Sequence, residues 1–400
     1  MVENIKIVVL LIVLMIDIRW FSYVLLDYNA YLVYAKLISV IMFVYVIVKN
    51  RCLRNNDVMF VREIVCLMCL PFISAFIAFL FHNQELMNTF NISSMHLGYS
   101  LFLIMVIWRV SYKKIKTVIL VLGLLWCIIE IVQQFTAPAF LFSNSVALLY
   151  DLDVGNDRNG IYRYMPLGYQ FGLIFLFYFF QQYLNKKNLI YLVAIILGLA
   201  GVYFTATRQT IVVTIVCLII GLFISKKIQL KSLIGILILA FVVFQNFDSL
   251  FDNFITKTVD KNDMSAVARY NAYRIYGYEL NDWNPFLMIF GNGDPGRGSL
   301  YARAISHIEI SKMAVRADIG VVGMYYTYGL LYVSIIIQFI FKVFSKWKYV
   351  DLYFKLFVFF VICTSPMLWH FGYSSAYIGI YSFIYYLLAK NISLNVNKCA

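Results

Sequence analysis

Apolar runs of about twenty residues recur along the whole of this chain, and that is the length an α-helix needs to cross the hydrocarbon core of a bilayer. Within lipid every backbone N–H and C=O must find an internal partner, so such runs read as helices. A transmembrane β-barrel would instead alternate apolar and polar residues. Segments such as Leu173–Phe180 and Leu192–Leu199 are apolar on all sides, which favours helix. Composition agrees. Of the 400 residues 62% are hydrophobic and 13% charged, against about a quarter charged in ordinary soluble domains. The expected fold class is an all-α polytopic membrane protein with about twelve transmembrane helices. The candidate spans are 5–26, 31–48, 64–81, 96–110, 117–136, 166–184, 189–204, 210–224, 232–246, 319–341, 350–366 and 377–389. The expected organisation is nine helices over 1–246, a large outer loop with short amphipathic helices over 247–318, and three helices over 319–400.

The formal net charge of +13 invites a nucleic-acid partner, but its distribution excludes that class. Alternate connections carry Lys49, Arg51, Arg54 and Arg62, then Arg109, Lys113, Lys114 and Lys116, then Lys186 and Lys187, then Lys226, Lys227 and Lys231, then Lys342, Lys346 and Lys348. The connections between them at 27–30, 82–95 and 367–376 hold no Lys or Arg. The positive-inside rule then places both termini and the Lys-rich loops in the cytoplasm. The chain starts with Met1 and turns apolar from Ile5 without a small-residue cleavage site, so the first helix is expected to be retained. All seven Cys fall in spans or on the cytoplasmic side, and no outer disulfide is expected. Cys66 and Cys69 have CxxC spacing within an apolar helix, where packing is the expected role rather than zinc.

The outer face has a different charge chemistry. Arg158, Arg163, Arg208, Arg269, Arg274, Arg297, Arg303 and Arg316 fall there, with Lys257, Lys261 and Lys312 as the only Lys. Topology explains the inner Lys; it does not explain these Arg. A guanidinium grips phosphate bidentately where an ammonium is a point charge. Two readings stand side by side: an outer phosphate or diphosphate ligand, or pairing with the nine acids between Asp248 and Asp318. Arg208 lies in Thr205-Ala-Thr-Arg-Gln-Thr210 between two apolar runs, where a charge is costly unless paired or used. The flanking Thr and Gln are expected to build a polar pocket.

Within the large loop, 264–280 reads as an amphipathic helix with Arg269 and Tyr273 one turn apart. Asn284-Pro285 breaks the pattern. The Gly291–Gly298 stretch reads as a tight, flexible turn, either a connector or an anion nest, without P-loop spacing. A second helix over 302–316 puts Arg303 and His307 on one face. His307 is either an exposed loop histidine or a proton-transfer group. Asp151-Leu-Asp153 reads as an acidic loop, and His82, His96 and His370 lack metal-ligand spacing, so no metal is expected. Asp17 and Arg19 are expected to pair. Glu130 is a counter-ion for an Arg or a polar packing contact. Gly320 and Gly323 are expected to let their helix pack closely.

From Arg269 to Gly323 the chain resembles the O-antigen polymerase and O-antigen ligase superfamily of bacterial envelope proteins. The residues that carry the resemblance are Arg269, Trp283-Asn-Pro285, Gly291-Asn-Gly293, His307 and Asp318-Ile-Gly-Val-Val-Gly323, with Arg208 as the membrane-interface Arg. The family often has Asn after the His, where this chain has Ile308. The resemblance implies an O-antigen or capsule polymerase in the bacterial inner membrane, without cofactor. It would transfer glycan between undecaprenyl-diphosphate-linked oligosaccharides, which serve as both donor and acceptor, on the periplasmic side. Membrane lipid and a chain-length regulator protein are the further partners implied. Arg208 and Arg269 would hold the donor diphosphate, and His307 would take the acceptor proton. Arg303 would add a phosphate contact, with Arg274, Tyr273 and Arg163 completing the substrate-binding set. An O-antigen ligase, which moves the glycan to lipid A core, would share this chemistry. The reading of another class is a flippase or secondary transporter.

Overall fold

The computed structural model describes residues 2–18, 20, 28–49, 53, 58–136, 157–158, 161–162, 166–205, 207–225, 264–281, 283–296, 298–372 and 375–399. The expected span at 232–246 lies outside them. Helices fall in the other eleven expected spans: α1 Val2–Ile18, α2 Tyr28–Val48, α3 Val61–His82, α5 Ser100–Ile107, α6 Tyr112–Thr136, α7 Tyr169–Lys186, α8 Leu189–Phe204, α9 Arg208–Ile224, α13 Gly320–Ser345, α14 Leu352–Thr364 and α15 Ser375–Cys399, while a further helix, α4 Leu86–Ser93, forms within the expected connection at 82–95. One 3-10 segment, Ser94–Tyr99, runs α4 into α5. Between α9 and α13 come α10 Met264–Gly277, α11 Pro285–Phe290 and α12 Leu300–Ser311. The only sheet among the described residues is a two-residue antiparallel ladder, β1 Asp157–Arg158 with β2 Ile161–Tyr162.

Among the described residues four helical stretches are long and apolar enough to cross a membrane: Val61–His82, Leu86–Ile107, Tyr112–Thr136 and Arg316–Ser345. Val33–Val48, Leu189–Phe204, Gln209–Ile224 and Leu352–Thr364 are shorter apolar helices. On α2, Val33, Leu37, Ile41, Val44 and Val48 form an exposed aliphatic stripe at helical spacing. Such a surface suits lipid, since soluble proteins seldom leave so continuous an apolar patch uncovered.

One continuous core draws on α1–α3, α5–α9 and α13–α15. A second, small core of Ala272, Ile275, Tyr276, Tyr301, Ile305, Ala314, Ile319 and Tyr326 joins α10, α12 and the start of α13 into a cap. Gly320 and Gly323 permit close packing, as expected. A Cβ on Gly320 would stand 1.9 Å from the Ser365 carbonyl oxygen, and one on Gly323 2.6 Å from the Trp369 ring.

Part of the expected outer loop, Pro285–Gly296, packs against the bundle. α13 is broken at Gly329, whose φ of 81° and ψ of 175° are not helical. The break exposes backbone that must be re-satisfied, and the chain after α11 does so. Asn292 N–H donates to the Tyr326 carbonyl and Gly293 N–H to that of Thr327, both at 2.8 Å. From α3, the Ser74 hydroxyl donates to the Phe290 carbonyl at 2.5 Å. Ser74 lies eight residues before His82, about 12 Å along the helix. The Pro285–Gly296 segment therefore enters between α3 and α13 well below the end of α3.

A buried imidazole sets a pH dependence. His370 follows α14 and meets the Thr364 hydroxyl through Nε2 at 2.7 Å and the Tyr381 hydroxyl through Nδ1 at 2.5 Å. Burial pushes its pKa down to about 3. The unfolded chain, near 6.5, takes up this proton more readily, so His370 contributes stability above pH 6.5 and loses it as pH falls toward 3. The loss should reach about 2–3 kcal/mol by pH 4.5. Unfolding midpoints in detergent at pH 7.5 and pH 4.5 should show it, and His370→Gln should remove that increment.

Candidate functional site

The cap holds most of the expected site residues, and each is placed by ordinary helix logic. α10 buries Ala272, Ile275 and Tyr276. Arg269 stands three residues before Ala272 and seven before Tyr276, at the edge of that buried stripe. It is half-buried, and its Nε is shut off from solvent with no hydrogen-bond partner among the described residues. Tyr273, one turn on, donates its hydroxyl to the Pro366 carbonyl in the turn after α14. Burial raises the Tyr273 pKa, and the neighbouring Arg269 charge opposes the rise.

Two of the arginines expected on the outer face pair with acids. Arg274 Nε pairs with Glu279 at 3.0 Å, both well exposed. Arg316 is the stronger case. Its guanidinium donates to the Asp294 carboxylate at 2.7 Å and to the Thr327 hydroxyl at 2.8 Å, and lies 5.5 Å from the Trp369 ring centroid. Pairing with acids is the correct reading for these two.

Hydrogen bonds tie down the Gly291–Gly296 part of the expected turn, and no anion nest is found among its described residues. Gly291 N–H is taken by the Leu287 carbonyl, those of Asn292 and Gly293 by α13, and that of Gly296 by the Gln84 side chain at 2.6 Å. Among the described residues no run of successive free N–H groups remains over Gly291–Gly293 for an anion. Asn284 caps α11 with Pro285 at its first turn, so the expected break is a helix start.

Arg303 and His307 share a face of α12, as expected, but it is the exposed face. Tyr301, Ile305 and Ile308 form the opposite, packed stripe. Among the described residues no hydrogen bond joins His307 to Arg269, so a substrate would have to bridge them. Arg208 opens α9 directly after the turn from α8; its side chain, Arg163, Arg297 and the Asp151–Asp153 pair lie outside the described residues. Of the threonines expected to line a polar pocket at Arg208, two turn their hydroxyls to local carbonyls. Thr205 and Thr207 donate their hydroxyls to the Val202 and Thr205 carbonyls, at 2.8 and 3.1 Å.

Sequence reasoning missed a buried junction that ties the cap to α3. His82, the last residue of α3, stacks on Tyr301 with centroids 4.2 Å apart and planes 3° from parallel. Its Nε2 meets Asn292 Oδ1 at 2.9 Å, and the Tyr301 and Tyr326 hydroxyls meet at 3.1 Å. The only sequence signal was a polar His82-Asn-Gln84 at the end of an apolar run. Within the bundle, Glu130 is fully buried, and neither carboxyl oxygen has a hydrogen-bond partner among the described residues. No Arg counter-ion for it is found among those residues. The described residues also hold no group of three or more His, Cys, Asp or Glu able to share a metal.

No family model matches this chain, and no curated protein or solved structure matches it either.

Proposed function

We propose that this chain polymerises undecaprenyl-diphosphate-linked oligosaccharide repeat units at the cap side of a bacterial inner membrane. In this reading it crosses the bilayer about twelve times, with both termini and the Lys-rich loops cytoplasmic. The observation that carries the reading is Arg269. A shielded guanidinium N–H without an acceptor is costly, and a diphosphate oxygen would satisfy it through a charge-assisted hydrogen bond. The fixed Tyr273 beside it, tied to Pro366, holds that wall of the site in place.

The reaction is a displacement at the anomeric carbon. The acceptor hydroxyl oxygen forms the new glycosidic bond as the bond from that carbon to the diphosphate oxygen breaks. The electron pair leaves on the diphosphate, where Arg269 and Arg208 stabilise it. The hydroxyl proton goes to His307, with Arg303 holding a further phosphate.

Arg269→Ala should lower polymer formation by about a hundredfold or more, the scale for losing one preorganised group at a developing charge. Arg269→Lys should recover part of it. A gel of surface glycolipid from a strain carrying each variant measures this. A full-length ladder from Arg269→Ala would remove the assignment.

A second reading, a flippase or secondary transporter, is favoured by one feature. A helix of membrane-crossing length broken at Gly329 is the kind of discontinuity that builds transport sites. Purified protein in vesicles containing only lipid-linked repeat decides between them: longer glycans require polymerase activity, whereas a flippase leaves the repeats unextended.

A further inference from the structure

α12 is held at both ends by helices of membrane-crossing length. At its start, Ser299 donates its hydroxyl to Gln84 Oε1 at 3.1 Å, and Tyr301 stacks on His82 at the end of α3. At its far end, the Glu309 carboxylate accepts from the Arg316 N–H at 3.1 Å, where the Arg316–Ser345 stretch begins. Twelve helical residues span about 18 Å. α12 therefore bridges the end of α3 and the start of the Arg316–Ser345 stretch.

Its buried stripe points into the cap. The opposite stripe presents Leu300, Arg303, His307 and Ile310. Leu300 is 72% exposed and Ile310 77% exposed, and the two cationic-type side chains lie between them. Two large aliphatic side chains so open to water, flanking an arginine, fit poorly with a purely aqueous surface. They fit the boundary between acyl chains and headgroups, where aliphatic groups enter the lipid and Arg meets phosphate. The adjoining chain agrees: Tyr278, Trp283 and Phe286 are exposed, and aromatic side chains concentrate at that depth.

We propose that α12 is an interfacial helix, seated in the headgroup layer with its Leu300–Arg303–His307–Ile310 stripe against phospholipid phosphates and the upper acyl chains. The inference rests on the membrane reading of the chain and not on glycosyl transfer.

The test uses the full chain with its native cysteines replaced and a nitroxide on Leu300→Cys or Ile310→Cys, in phosphatidylethanolamine–phosphatidylglycerol vesicles. Collisions with oxygen should exceed those with a water-soluble nickel chelate at both positions. Adding Arg303→Glu and His307→Glu together should reverse the ratio, while added inorganic phosphate should leave it unchanged. Nickel collisions exceeding oxygen in the parent chain would place the stripe in water and overturn the proposal. Dipolar broadening between labels would overturn it in favour of a second copy, and a shift with inorganic phosphate would overturn it in favour of a soluble anion. The readout needs no product. A lost ladder with oxygen collisions intact would count against nothing here, and an unchanged ladder from Arg269→Ala would sink the polymerase reading alone.

Discussion

Gly329→Ala is expected to release the Pro285–Gly296 segment from the bundle and to cost about 4 kcal/mol or more. Two effects add. The backbone at φ 81°, ψ 175° lies in a region open to glycine and strained for any residue with a Cβ. The new methyl would also stand 2.3 Å from the Ile289 carbonyl oxygen and 2.5 Å from the Gly291 nitrogen. Those are backbone atoms, so neither can swing aside. Relief requires the segment to withdraw, which breaks the hydrogen bonds from Asn292 and Gly293 to α13, each contributing about 1 kcal/mol. Gly298→Ala supplies the control. Gly298 has the same sign of φ, 84°, but nothing lies within 4 Å of its would-be Cβ. It should cost only the backbone strain, about 1 kcal/mol. Unfolding midpoints and limited proteolysis of the purified variants measure the gap. Equal losses at the two glycines would mean that Gly329 does not sit against the Ile289–Gly291 backbone.

The contrast between these glycines marks where sequence reading stopped. Hydropathy is a one-dimensional signal, and it located the helices well because the solvent for α2 or α6 depends only on each segment's own composition. The break in α13 was not legible. Glycine within Tyr326-Thr-Tyr-Gly329-Leu-Leu is unremarkable in an apolar helix, and only the partner at Gly291, distant in sequence, turns it into a discontinuity. The same blindness affected the site. Arg269, Arg274, Arg303 and Arg316 look alike as letters, yet one has a shielded N–H without an acceptor, one pairs at the surface, one faces outward and one is buried against Asp294. Asp294 was read as part of a flexible turn. Spacing can place Arg303 and His307 on one face of α12, but only packing says that the face is the exposed one.

Arg316→Ala is expected to be the most damaging change among the arginines, at about 3–5 kcal/mol. Its guanidinium is 16% exposed and the Asp294 carboxylate 19%. Removing the cation leaves a carboxylate in a mostly dry setting beside the Gly291–Gly296 turn that joins the cap to α3 and α13. The cost of that uncompensated charge exceeds the attraction lost. Asp294→Asn in the same chain should therefore restore part of the stability, and the double variant should lose less than the two single losses added, by about 1–3 kcal/mol. Strict additivity would show that the two side chains do not interact as the 2.7 Å contact requires. The pair also separates structural from functional arginine. Arg316→Ala should lower the unfolding midpoint, and product only through loss of folded protein. Arg269→Ala breaks no hydrogen bond or ion pair among the described residues, so it should leave the midpoint nearly unchanged while lowering product by the roughly hundredfold or more expected above. If instead Arg316→Ala folds normally and makes no polymer, the diphosphate site belongs at Arg316 and Asp294, and Arg269 is an edge residue of the cap.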